Sequence, residues 1–517
     1  MLHLSGEQVY PGEPLPLDAA VALFQARAQE AGVRLGRGVE DQRAIERICE
    51  RVDRLPLAVE LAAGRTRILS PAELLDRLEA RLPLLTDGPR DLPARQQTIR
   101  ATIEWSYGLL ETAERRALAR IGVFVDGFTL DAADAVCGAT LGQLASLADH
   151  HLVAHAATSS GSRYRMLETI REFAIERLDD DGANQARDAH AKYFLALAEA
   201  AEPELRRVRE SSAWNRQLRA EHANLAAALA WTADSGQVEL GLRLASALWF
   251  FWLDRDYLLS GDHWLTLLLG RPADVAPTVR AKALLGTANV ADMRGDRLRA
   301  ERHALEALDL CHALHDDAGA AWALLLSSVG NTHRGEYEQG RQKLEEALTL
   351  HRTAGDELGV RRSLQLLGNL SIELDDYTGA RRILREVVES ARADGNLFQA
   401  AAALHSLADA ELEAGATGSA IELYEEALTA SRELGAHRIS CFCLAGLSAA
   451  LAVRGDAISA AKLWSAVLQL EEILGFRLRS RARYERRIRP DNSPPSRPTS
   501  TDPELVIKMA LPVRHSC

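Results

Sequence analysis

At 517 residues with a net charge of −12 and a pI near 5.7, the chain is long enough for about three or four domains and too acidic for a whole-chain nucleic-acid binder. Aromatics make up 5%, and arginine supplies 61 − 5 = 56 of the basic residues beside five lysines, in an alanine- and leucine-rich, helical composition. Six scattered cysteines without a Cys-x-x-Cys pair, an N-terminus without a signal peptide's basic start and apolar core, and a most apolar run (residues 246–253) far too short to span a bilayer predict a cytoplasmic protein with reduced thiols.

Residues 1–92 read as a helical domain. Leu17 to Glu30 is amphipathic, with Leu17, Ala20, Val21, Phe24 and Ala28 on one face, and Asp41 to Val52 carries a weaker helical pattern. Pro56 stands at a helix start, where its missing N–H costs little. Ser70 and Glu73 have the spacing of a capping box. Residues 86–94 look like a linker. Over 93–180, helical patterns at Thr98 to Leu110, Thr112 to Phe124, Leu130 to Val136 and Leu141 to His151 precede an apolar stretch at 152–157. A polar turn at 158–162, a second short strand from Arg163 and a helix from Leu167 follow. Helices ending in a two-stranded hairpin predict a winged helix. Residues 181–240 read as a helical connector.

From Gly241 to Gly475 the chain repeats every 40 residues. Residues 281, 321, 361, 401 and 441 align without gaps. One column is Leu284, Leu324, Leu364, Leu404, Leu444, and a second holds only small residues: Ala288, Ser328, Gly368, Ala408, Ser448. A third is Gly295, Gly335, Asp375, Gly415, Gly455, followed by an acid in four of five copies. Two more are Ala300, Gly340, Ala380, Ala420, Ala460 and Ala307, Ala347, Val387, Ala427, Val467. A worn sixth copy lies 40 residues earlier, at Leu244, Leu248, Arg255, Asp256, Ser260 and Leu268. Each copy predicts a helical hairpin whose turn glycine takes the left-handed conformation and whose small residues let two helix axes approach. One hairpin cannot bury its apolar face alone, so copies must stack into a solenoid resembling tetratricopeptide (TPR) repeats in a long version. The expected fold is therefore mainly α: a helical lid and winged helix followed by an α-solenoid of TPR-like 40-residue repeats over 241–475. Residues 476–517 read as a basic, then disordered tail, with seven arginines from Arg477 to Arg489 against Glu485 alone and a Pro/Ser-rich stretch from Pro490.

Several strings carry a resemblance: RLPLAVELAAGRTRILSPAELLDRLEARLPLL, RQQTIRATIEWSYGLL, IGVFVDGFTLDAADAVC, RYRMLETIREFAIERL and EHANLAAALAW. They resemble the central region of bacterial signal-transducing ATPases of the STAND, NB-ARC type, found in large transcriptional regulators with LuxR- or SARP-type output domains. The likeness covers residues 1 to roughly 487. It implies a helical lid, a winged helix that braces the inactive state, and a repeat sensor, all downstream of a P-loop ATPase domain. No lysine here follows a glycine, so no GxxxxGK[ST] loop can cradle phosphates, and no Walker B strand precedes the lid. ATP or ADP with magnesium is thus expected only for a full-length relative; this chain is read as non-enzymatic and without a cofactor. Pro56 falls on the family's adenine-contacting proline, although Arg54 replaces the usual glycine. Met166, Leu167 and Glu168 fall on its Met-His-Asp motif, with leucine replacing the phosphate-contacting histidine. The plainer reading is that Pro56 starts a helix and Leu167 packs in the core. The family continues past the arginine-rich segment, so truncation or a frameshift is an expectation here.

From Ile121 to Ser162 there is no lysine or arginine, and residues 98–178 carry 8 arginines against 10 acids, so DNA reading by the winged helix is not expected. His151 and His155 have no third ligand at metal spacing and read as ordinary histidines. On the first helices of the repeats, Lys282, Asn289, Arg362, Gln365, Asn369, Glu373, His405, Asp409 and Glu413 form a polar face. That face is either the concave groove for a protein or small effector or simply solvated. The arginines from Arg477 are read as a charged, solvated helix end, with an acidic partner as the alternative. The functional expectation is the sensor and interaction part of a STAND-type regulator, with oligomerisation left open. The alternatives are a nucleotide switch whose P-loop is supplied upstream or in trans, and a DNA-binding repressor.

Overall fold

The computed structural model describes residues 15–30, 33, 39–52, 54, 56–66, 69–78, 99–158, 161–178, 180–207, 213–254, 257–488 and 502–511. The chain divides into two compact units, Met1–Tyr193 with Glu221–Ala228, and Phe194–Ala220 with Leu229–Cys517. The expected linker at 86–94 lies outside the described residues. The stretch read as a connector, 181–240, is shared between the units rather than standing alone.

The first unit opens with α1 (Leu17–Glu30), α2 (Val39–Arg51), α3 (Pro56–Arg65) and α4 (Pro71–Leu78). α1 buries Ala20, Val21, Phe24 and Ala28, most of the face its periodicity marks, and α3 packs on it with Ala58, Val59, Ala62 and Ala63 inward. The capping box before α4 is formed: Ser70 N donates to Glu73 Oε2 at 2.9 Å and Glu73 N to Ser70 Oγ at 3.3 Å. Four further helices follow, α5 (Ile99–Gly108), α6 (Thr112–Ile121), α7 (Leu130–Cys137) and α8 (Leu141–Asp149). The antiparallel pair β1 (Ala154–Thr158) and β2 (Gly161–Arg165) then leads into α9 (Glu168–Ile175). The strands run closer to the turn than the sequence suggests, with Thr158 paired to Gly161. Leu152 and Val153 are buried ahead of the strand instead of starting it. Phe128 adds a bridge to Tyr164, and Phe124 stacks on Phe128 at 4.9 Å. Then come α10 (Asp180–Arg207), α11 (Ala213–Ala220) and α12 (His222–Asp234).

The second unit holds six helical hairpins: α13 (Val238–Asp254) with α14 (Leu258–Leu269), α15 (Pro277–Arg294) with α16 (Arg297–Leu314), α17 (Asp317–His333) with α18 (Tyr337–Ala354), α19 (Glu357–Glu373) with α20 (Tyr377–Ala393), α21 (Leu397–Glu413) with α22 (Thr417–Glu433), and α23 (His437–Val453) with α24 (Ala457–Leu474). Consecutive helices pack along the whole series, so this is a mainly α, TPR-like solenoid. The worn copy is α13–α14, although its Arg255 and Asp256 lie outside the described residues. The turn column takes positive φ throughout, including Asp375 at 59° where glycine is missing. A second left-handed column closes the last five hairpins: His315, Gly355, Gly395, Gly435 and Gly475. Asp296, Asp376 and Asp456 cap the second helices through their side chains. The small columns meet where a hairpin's axes are closest, as when Ser448 Oγ donates to the carbonyl of Ala460 at 2.7 Å. Ala380 and Ala420 are both fully buried, so leucine at either should lower stability by ~1–3 kcal/mol in urea unfolding through overpacking.

After α24, residues 476–488 contain a short helix, α25 (Arg481–Glu485), and α26 (Pro503–Ala510) follows. Both depart from the tail read in the sequence. α26 has Asp502 as its cap and Pro503 in its first turn, and it buries Val506, Ile507 and Ala510 in packing against α23 and α24. It covers the apolar end of the last hairpin, which a solenoid must cap. Residues 489–501, where most of the Pro/Ser-rich stretch falls, lie outside the described residues. No helix among the described residues is long and apolar enough to cross a membrane.

Candidate partner-binding groove

The first helices of successive hairpins pack on one another, so residues one helical turn apart on α13, α15, α17, α19, α21 and α23 share one inner face. All six contribute to a cavity of about 70 Å3. Phe250, Leu253, Met293, Trp322, Leu358 and Phe398 give it apolar walls, and Asn289, Arg362, Asn396, Gln399 and Arg438 give it polar ones. Trp322 is held by its own Nε1, which donates to Asp356 Oδ2 at 2.9 Å. The Gln399 amide has its orientation fixed, because its Oε1 accepts from Arg361 Nε at 2.6 Å. Its Nε2 is buried without a hydrogen-bond partner, as is Asn289 Oδ1. A buried donor and a buried acceptor left unmatched cost stability, and a ligand or bound water recovers it.

Further along the same face the polar residues form an acidic belt, and the belt is filled. Tyr484 is 1% exposed, and its hydroxyl donates to Asp409 (2.8 Å to Oδ1) and lies 3.0 Å from His405 Nε2. Tyr424 donates to the same Asp409 Oδ1 at 2.5 Å. Burial first, and then the Asp409 carboxylate, push both phenols above their ordinary pKa, so both stay protonated donors. Burial likewise lowers the pKa of His405, with Asp409 opposing and Arg483 adding to the effect. Arg483 pairs with Glu373, with Asp409 at 3.4 Å and with Glu413 at 4.0 Å, while Arg487 pairs with Glu413 at 2.6 Å. Arg479 pairs with Asp292, and its carbonyl accepts from Arg297 at 3.2 Å. Phe476 packs edge-on against Phe442 at 5.6 Å.

The inward face thus splits into two parts. Asn289 and Arg362 line the cavity, and Gln365 bridges to the next repeat by donating to Ala402 O and Ser406 Oγ. Glu373, His405, Asp409 and Glu413 gather in the belt, and Asn369 is half-buried. Lys282 is engaged with Glu202 at 2.5 Å. The solvated-face reading fails for Gln365 and Asp409, which are 6% and 5% exposed. The solvated-helix-end reading of the arginine segment fails too: Arg483, Tyr484 and Ile488 are buried, because the acids one repeat apart on the inner face compensate the arginines.

The nucleotide-motif positions do not gather into a pocket. Pro56 is exposed at the first position of α3. Met166 and Leu167 are half-buried, Leu167 as the N-cap of α9 and not as a core residue. Glu168 is taken up by Arg51 at 2.9 Å and Arg171 at 2.5 Å, and Arg51 also reaches Glu172 at 2.5 Å. These pairs tie α2 to α9. His151 and His155 are exposed, and among the described residues no group of three potential ligands could hold a metal. A polar hub at Glu221 and Asn224, within the string EHANLAAALAW, is fully engaged. Asn224 accepts from Val125 N at 2.7 Å and donates to Gly127 O at 2.9 Å and to Glu221 at 2.7 Å. Glu221 pairs with Arg163 of β2, both buried.

No family model matches the chain. A Mycobacterium tuberculosis protein provisionally named a helix-turn-helix-type transcriptional regulator is 36% identical over 280 residues, 52% of this chain and 31% of that protein. An uncharacterized protein of the same organism is 37% identical over 195 residues, 36% of this chain and 49% of its own length. The chain therefore spans about a third to a half of the curated relatives it matches. Among solved structures, a Pyrococcus horikoshii STAND protein with a tetratricopeptide repeat sensor aligns over 93% of this chain and 73% of its own, at 13% identity and a TM-score of 0.44. A Rap protein complexed with competence and sporulation factor aligns over 62% of this chain and 90% of its own, at 16% identity and a TM-score of 0.37.

Proposed function

We propose that this chain is the sensor and interaction part of a STAND-type transcriptional regulator, with the solenoid taking an effector on its inner face and the winged helix serving as an intramolecular brace. Sequence kinship to a provisionally named transcriptional regulator supports the regulatory setting. The observation that carries the sensing role is the cavity where six repeats converge, with an apolar lining and two buried polar atoms lacking partners. At about 70 Å3 the site suits a ligand of only a few heavy atoms, one that offers an acceptor to Gln399 Nε2 and a donor to Asn289 Oδ1. The brace reading draws on the Arg51, Glu168 and Glu172 pairs and on the cation-free stretch from Ile121 to Ser162, which leaves the winged helix without charges for phosphates.

The test is a thermal-shift screen of the full chain against fractionated small-molecule extract, run beside Ala402→Trp, which fills the cavity. A fraction present at ~100 times its dissociation constant stabilises the wild type by about 2.7 kcal/mol and leaves the variant unmoved. Equal shifts in both proteins would remove the cavity from the reading. Fluorescent ATP with magnesium is the companion titration. No saturable binding is expected, and tight binding would replace the sensor reading with a nucleotide switch.

A further inference from the structure

Residues 476–488 do not belong to the repeat. The last hairpin already ends at Gly475 in a left-handed cap, and α26 covers it. The segment instead returns along the inner face to helices more than 60 residues earlier, reaching Asp409 (75 residues back) and Glu373 (110 residues back). Its register matches its seat. Arg483 and Arg487 are one helical turn apart, Asp409 and Glu413 are one turn apart on α21, and Tyr484 fits between them against His405. Its hold joins apolar burial of Phe476, Leu478, Tyr484 and Ile488 to ion pairs that match in charge and spacing. The Arg487 and Arg479 side chains remain 24% and 28% exposed, so those two pairs are the salt-sensitive part of the hold.

We infer that the acidic belt is a receptor for an arginine–tyrosine protein segment of the pattern Arg-Tyr-x-x-Arg, and that residues 476–488 occupy it in cis until a partner protein's basic segment of the same pattern displaces them. Displacement bares Glu373, Asp409 and Glu413 on a concave surface, which draws in a cationic segment and rejects an acidic one. The inference rests on reading the inner face as the binding surface, but it concerns the belt and not the cavity, so Ala402→Trp should leave it untouched. Tethering gives the cis segment an effective concentration on the order of millimolar, so a free peptide competes poorly until that segment is weakened.

The experiment is fluorescence anisotropy of a labelled peptide with the sequence of residues 476–489, titrated with full-length chain. Wild type should bind weakly, and Arg483→Ala/Tyr484→Ala/Arg487→Ala should bind at least about tenfold more tightly. Adding Asp409→Asn and Glu413→Gln should abolish that gain, and a peptide with alanine at both belt arginines should not bind. A folded triple variant that does not bind the peptide, or that binds the alanine peptide equally well, overturns the proposal. Should the triple variant not fold, alkylation of Cys443 in the wild type decides. This thiol is fully buried on α23, the helix against which α25 packs. Saturating peptide should speed its labelling, read by mass spectrometry, and an unchanged rate means that the segment is a fixed part of the fold.

Discussion

Asn224→Ala should destabilise the first unit by about 3 kcal/mol, because it strips partners from several buried groups at once. Asn224 is fully buried and bonds the Val125 N–H and the Gly127 carbonyl, in the turn between α6 and α7 where Asp126 and Gly127 have φ of 59° and 94°. Its amide also donates to Glu221, which compensates buried Arg163 on the wing. Alanine leaves a donor and an acceptor unpaired in a turn that already holds a residue in the left-handed region. Urea unfolding at neutral pH measures the loss, and an unchanged midpoint would mean that water replaces the amide at no cost. The same hub predicts a pH dependence. His190 Nε2 lies 3.3 Å from Asn224 Oδ1, and burial lowers its pKa to about 4 from 6.5, with the Asn224 contact opposing. The unfolded chain takes up this proton as pH falls below 6.5, whereas the folded chain does not until about 4. Stability contributed by neutral His190 is therefore complete above 6.5 and is lost across that window, by roughly 3 kcal/mol at its foot. His190→Phe should flatten that slope.

Asp409→Ala should cost about 3–5 kcal/mol in the second unit, since it removes one member of a buried charge pair and leaves the other behind. Asp409 is 5% exposed, accepts from the hydroxyls of Tyr424 and Tyr484, and faces Arg483 at 3.4 Å. Without it buried Tyr424 loses its acceptor, and Tyr484 is left with His405 Nε2 at 3.0 Å. Arg483 keeps only Glu373 and the more distant Glu413. Asp409→Asn keeps one acceptor oxygen and should cost less. Limited trypsin digestion adds a readout that stability alone does not give. Cleavage after Arg483 and Arg487 should be slow in wild type and fast in Asp409→Ala, because the released segment is arginine-rich. Equal cleavage in the two proteins would show that Asp409 does not anchor the segment.

The repeat was legible because its causes are local. A left-handed turn residue, an aspartate cap and small residues at hairpin crossings act within one 40-residue copy, and five copies repeat the message. The capping box at Ser70 and Glu73 and the helix start at Pro56 are equally local, and the structure has both. The inward polar face was legible as a face for the same reason, since helical spacing alone puts Arg362, Gln365, Asn369 and Glu373 on one side. The second left-handed column, His315 through Gly475, was available in the same alignment and marks the turns between copies.

What occupies that face was decided only by tertiary structure. A run of arginines has the same composition whether water or carboxylates surround it. The carboxylates that hold Arg483 and Arg487 lie 110 and 74 residues upstream. Likewise, nothing near Asn224 in sequence shows that its partners are Val125 and Gly127, 99 and 97 residues away. The sequence by itself determined the helices, their turns and the stacking of hairpins, because hydrogen bonding and side-chain periodicity within one helix or turn set these. Pairing of buried charges and polar groups depends on which surfaces the finished solenoid and wing bring together. Only the folded chain decides that a basic tail becomes a ligand for its own groove.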